Sequence, residues 1–94
     1  MREIPTEDLT YYNWVEKLVL ASEQKDKRNF DTAYLAVVNE SGRRPKTNPL
    51  WINAYYVLTE CSLAWANDLP EDFRRRSLSQ ARKVFDRLPI PNLI

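Results

Sequence analysis

The 94-residue chain has no histidine, one cysteine and one glycine, and each shortage excludes a class of function. Without histidine it lacks the commonest general base and the commonest metal ligand. Cys61 alone cannot build a cysteine-rich zinc site. A lone glycine, Gly42, leaves no phosphate-cradling glycine loop and argues against an all-β chain, whose tight turns consume glycine. Neither sign of charge is in excess. Fourteen basic residues face thirteen acidic ones, for a net charge of +1, so no global pull toward nucleic acid or anionic lipid exists. A long uninterrupted apolar run is also missing. The least charged stretch, 48–67, is broken by Asn53, Thr59, Glu60 and Ser62, whereas a membrane span needs roughly 17–25 mostly apolar residues. The start, MREIPTEDLTYY, has acids and no apolar core, which is not the pattern of a secretory signal. The expected location is cytoplasmic, with Cys61 as a small buried hydrophobe in a reducing compartment.

What is present is ordinary globular material. Hydrophobic residues make up 44% and charged residues 29%, enough for one domain with a real core. The six prolines and the glycine fall between periodic segments or at their first turns, dividing the chain into four predicted helices. These run over about 6–23, 29–41, 49–66 and 70–88, with a short apolar tail over 89–94. The first has Thr6 as its expected N-cap, Glu7 and Asp8 at the positive end of its dipole, and a stripe including Tyr11, Trp14, Val15, Leu18 and Val19. The second carries Phe30, Ala33, Ala36 and Val37, and Gly42 stands where a left-handed C-terminal cap would need it.

The third helix opens on Asn48 as N-cap and Pro49 at the first helical position. Leu50, Trp51, Ala54, Tyr55, Val57, Leu58, Cys61 and Trp65 share one broad arc at the 3.6-residue period, which predicts Trp51 and Trp65 buried against the first and fourth helices. The fourth starts at Pro70 with Glu71 and Asp72 in its first turn. Phe73, Ser77, Ala81, Val84, Phe85 and Leu88 face inward. The predicted fold is all-α: two antiparallel helical hairpins in a single domain.

Phe30, Ala33, Val37 and Pro45 stand in the order of the second helix of a tetratricopeptide repeat. Trp51, Ala54, Tyr55 and Leu58 resemble its first-helix pattern, and Ala81 and Phe85 offer the small and aromatic positions again. The resemblance lies in the pattern of helical hairpins. It implies a scaffold that binds peptides or partner proteins, with no chemistry of its own.

A search for catalytic groupings is nearly empty, so no enzyme activity, cofactor or metal is expected. The adjacent acids Glu7–Asp8 and Glu71–Asp72 are explained by helix dipoles. Two patterns point instead to binding. Apolar residues lie off the core stripes, at Tyr34, Leu35 and Val38 on the second helix and at Ile52, Tyr56 and Leu63 on the third. Asn53 and Glu60 join Tyr56 in a polar strip. Contiguous exposed apolar surface marks interfaces, so these residues are the expected contact set for another protein or a second copy of the chain. The other pattern is basic: Arg43, Arg44 and Lys46 in a loop, with Arg75, Arg76, Arg82, Lys83 and Arg87 on the fourth helix. Clustered arginines can grip phosphates, which makes a nucleic-acid-binding or regulatory protein the alternative reading.

Overall fold

The third helix holds the fold together because its apolar residues recur every three or four positions. In the computed structural model, which describes residues 6–89, Leu50, Ala54, Val57, Leu58 and Cys61 are all buried. The elements in order are a 3-10 turn at Thr6–Asp8, α1 (Leu9–Glu23), α2 (Lys27–Gly42), α3 (Trp51–Ala64) and α4 (Glu71–Asp86). The chain is all-α, with no strand among the described residues. α1 packs chiefly on α2 and α3 chiefly on α4, while α1 also touches α3 and α4. The Tyr11 hydroxyl near the start of α1 meets Ser41 Oγ near the end of α2 at 2.6 Å, so these two helices run antiparallel. The radius of gyration is 13.0 Å, close to the ~13 Å of a compact chain of about 100 residues. Among the described residues, no helix is long and apolar enough to cross a membrane.

Core stripes follow the predicted spacing in most places. Tyr11, Val15, Leu18 and Val19 of α1 are fully buried, as are Ala33 and Val37 of α2; Phe30, Ser77, Ala81 and Phe85 are nearly so. Tyr12, Trp14, Trp65, Val84 and Leu88 cover the rim of this core. Phe73 departs from expectation. It is 40% exposed.

Helix ends differ more. α2 starts two residues earlier than predicted, on an unforeseen cap: the Asp26 carboxylate accepts the Asn29 backbone N–H at 3.2 Å. α3 starts at Trp51 with Leu50 at its N-cap and no side-chain cap, so Asn48 and Pro49 stand in the turn before the helix rather than at its cap and first position, and Asn48 holds that turn. Its side-chain oxygen accepts the Leu50 N–H at 2.9 Å and its carbonyl accepts the Trp51 N–H at 3.0 Å, so a tight turn precedes the first α-helical hydrogen bond. The expected Thr6 cap and the tail beyond residue 89 lie outside the described side chains.

Gly42 does not form a left-handed cap; it is the last residue of α2, and its φ is not positive. The chain instead continues right-handed through Arg43, with Arg43 N–H on Glu40 O and Arg44 N–H on Ser41 O. That path carries Arg44 back to the helix end, where its Nη1 donates to Glu40 O at 2.8 Å. The left-handed residue is Lys25, at φ 56°. Lys25 N–H bonds Ser22 O and Asp26 N–H bonds Ala21 O, the paired bonds of a Schellman motif closing α1.

Candidate interaction site

The off-stripe apolar residues divide between exposed and covered positions. Leu35 (64%) and Ile52 (68%) are the most exposed large hydrophobics, and Val38 and Tyr56 also face solvent. Tyr34, Asn53, Glu60 and Leu63 are half-buried. Tyr34 lies against Phe30, ring centroids 5.8 Å apart, and belongs to the edge of the core rather than to a free surface. Asn53 turns its amide back toward Pro49 O, in the turn before α3, at 3.4 Å.

Two aromatics assigned to the core arc instead border the surface. Trp51 is half-buried and Tyr55 is 55% exposed; they stack with centroids 5.4 Å apart at 11°. They sit four residues apart, one turn along the same flank. With Val38 and Leu58 they line a groove of about 290 Å³ between the end of α2 and the start of α3. Lys46 borders it too, with Nζ 5.9 Å from the Trp51 ring centroid. Trp65 is half-buried and packs on α2 as well as α1: its ring lies tilted against Phe30 with centroids 5.2 Å apart, and it donates its indole N–H to Ser22 Oγ at 3.3 Å.

The expected phosphate-gripping set is broken up by carboxylates. Arg44 is drawn inward, with its Nε 2.6 Å from Asp8 Oδ1 and Nη1 3.2 Å from Glu40 Oε1. Its guanidinium also lies 4.5 Å from the Tyr11 ring centroid. Burial lowers the Arg44 pKa, but the hydrogen bonds to Asp8 and Glu40 more than reverse this, so it stays charged. Asp8 is only 2% exposed and takes a second bond from Asn48 Nδ2 at 3.0 Å. It serves as an interior anchor rather than as a solvent-facing dipole partner. Arg82 grips Glu23 through Nε at 2.9 Å and Asp86 through Nη1 at 3.1 Å; the Glu23 bond is the main cause of its raised pKa. Arg75 pairs with Glu71 at 3.1 Å and Arg43 with Glu40 at 3.2 Å. Arg76, Lys83 and Arg87 are exposed, with no ion pair among the described residues. The loop and the helix therefore do not present one continuous basic face.

Chemistry at Cys61 is suppressed. Burial pushes its thiol up to about 11, with Ser22 opposing and Glu23 and Glu60 adding smaller increases. Thiolate, the nucleophilic form, is scarce at neutral pH. No group of three metal-ligating side chains occurs among the described residues. Comparison with protein-family models, curated proteins and solved structures returns no match.

Proposed function

We propose that this protein is a non-enzymatic protein–protein interaction module that associates with itself through the apolar face of α2 and α3. The observation that carries the reading is the exposure of Leu35, Val38, Ile52 and Tyr55 on two helices in contact, Val38 and Tyr55 lining the Trp51 groove. Isolated exposed hydrophobics are normal, but a contiguous group rimmed by polar residues marks an association surface. A two-fold dimer is the commonest way to cover such a face. Tetratricopeptide-like hairpins would suit the same role. The proposed setting is the cytoplasm, and the role requires no cofactor.

The nucleic-acid alternative is disfavoured because Arg43, Arg44, Arg75 and Arg82 already have carboxylate partners. Sedimentation across the micromolar range is the test. A concentration-dependent dimer that Ile52→Lys with Leu35→Lys returns to monomer supports self-association; a wild-type monomer throughout removes it. Salt-sensitive binding of mixed duplex or single-stranded nucleic acid, lost on neutralising Arg76, Lys83 and Arg87, would promote the alternative instead.

A further inference from the structure

At the end of the bundle away from that groove, the close of α1, the close of α3 and the first turns of α4 enclose a cavity of about 290 Å³. This is near the lower end of the roughly 300–1,000 Å³ of small-molecule sites. Ala64, Trp65 and Leu78 give it apolar walls, and Lys25, Arg74 and Arg75 bring positive charge. Trp65 is held between the Phe30 ring and Ser22, whose hydroxyl accepts its indole N–H and donates in turn to Leu18 O at 2.9 Å.

Three observations separate this cavity from an ordinary surface dent. Arg74 Nε is the one buried side-chain nitrogen or oxygen without a hydrogen-bond partner among the described residues. Buried polar groups are nearly always paired; this nitrogen is shielded from solvent, and since the half-buried Arg74 side chain makes no hydrogen bond among the described residues, its terminal N–H groups are the donors left for an acceptor in the cavity. Lys25 stands exposed at the cavity rim, placed there by the left-handed turn of the Schellman motif that closes α1. Neither Arg74 nor Lys25 forms an ion pair among the described residues, whereas the cavity's only carboxylate, Glu71, is held by Arg75 at 3.1 Å. The site thus combines two unmatched cations with a fixed indole and aliphatic walls.

We infer that this cavity binds an apolar monocarboxylate, either a free small acid or the C-terminal residue of a peptide. Its carboxylate sits on Arg74 and Lys25, and its hydrocarbon body lies against Trp65 and Leu78. A guanidinium fork matches a carboxylate edge, and the apolar walls would contribute nothing to inorganic phosphate. The inference is independent of self-association, because it concerns the opposite end of the bundle.

The test is a titration of the native chain followed by the indole N–H resonances in a nitrogen–proton correlation spectrum. Four probes are used: 2-naphthoate, its neutral amide, the peptide Ala-Ala-Leu, and that peptide with an amidated C-terminus. The expected result is a saturable shift of the Trp65 indole by at least one of the two acids. The matching amide should bind at least about tenfold more weakly, as for loss of a charge-assisted hydrogen bond. Naphthoate alone identifies a free acid as the ligand; the peptide alone identifies a chain end. Arg74→Met keeps the aliphatic stem and should weaken the responding acid about tenfold while leaving its amide unchanged. If Arg74→Met does not fold, Lys25→Gly and the acid–amide comparison on the native chain decide. Equal binding of acid and amide, or no Trp65 shift with either acid, overturns the inference.

Discussion

The two ends of the bundle treat buried charge in opposite ways. Where α1 begins and α2 ends, Asp8 is almost wholly buried, but both carboxylate oxygens have partners: Arg44 on Oδ1 and Asn48 on Oδ2. Arg44 is completed by Glu40, and Tyr11 closes the group through Ser41. Where α1 ends and α4 begins, Arg74 leaves a buried N–H unpaired and Lys25 bends the chain left-handed. A fully paired network fixes structure, while a partly paired one stores unused interaction. The first end is built for rigidity. The second retains capacity to bind.

The sharpest way to break this comparison is to cut the same side chain at each end. Arg44→Met should lower unfolding free energy by about 3–5 kcal/mol, since it strands the buried Asp8 carboxylate without its main partner. Arg74→Met removes an unpaired donor and keeps the packing stem, so its effect should stay within about 0.5 kcal/mol of zero. Urea denaturation of the two variants measures both. Similar losses at both ends would erase the distinction.

Alkali probes the second end through Cys61, which lies against Ser22 and Glu23 electrostatically and is fully buried. Its thiol rises from 9.0 unfolded to about 11 folded, so below pH 9 the thiol is neutral in both states and its contribution is fully present. Between pH 9 and 11 only the unfolded chain releases the proton, and stability falls. A rise of two pH units corresponds to ~2–3 kcal/mol. Burial raises the Tyr11 phenol too, so the first end adds its own alkaline loss. Cys61→Ala should therefore show a shallower decline over that window without abolishing it. Parallel curves for Cys61→Ala and the native chain would exclude the thiol as a cause.

Sequence pattern made the helices legible more readily than the two ends. Ser77, Ala81 and Phe85 recur every fourth residue between charged neighbours, so the buried face of α4 could be read directly. The arc of α3 was drawn too wide. Trp51 and Tyr55 sit on its margin, and whether a margin is covered depends on how the neighbouring helices are placed, which local periodicity does not contain. Asp8 and Arg44 are 36 positions apart; each looked like a surface charge because a buried pair is visible only once both helices are placed. Lys25 carries no local sign of its backbone, since glycine is the usual marker of that conformation. Of the expected contact residues, Leu35, Val38, Ile52 and Tyr56 are exposed as required, while Tyr34 was absorbed by the core edge.

The smallest effect is the most discriminating, because two of its readouts move in opposite directions. Lys25 closes the Schellman motif of α1 at φ 56°, a region that costs a residue with a Cβ roughly 1 kcal/mol and costs glycine almost nothing. The backbone bonds of Lys25 and Asp26 to Ser22 and Ala21 do not depend on the side chain, so Lys25→Gly keeps the motif. Glycine gains freedom in the unfolded chain, which offsets part of the relief. The expected net gain is about 0.5–1 kcal/mol, visible as a higher thermal midpoint. If the lysine were present only as a solvated surface charge, nothing else would change. At the proposed carboxylate site, however, the same substitution removes one of two unmatched cations beside Trp65. The variant should then be more stable and bind the responding acid more weakly, with the weakening most evident at low ionic strength. A stabilised variant with undiminished acid binding would assign Lys25 to backbone geometry alone and leave Arg74 as the only cation that recognises the ligand.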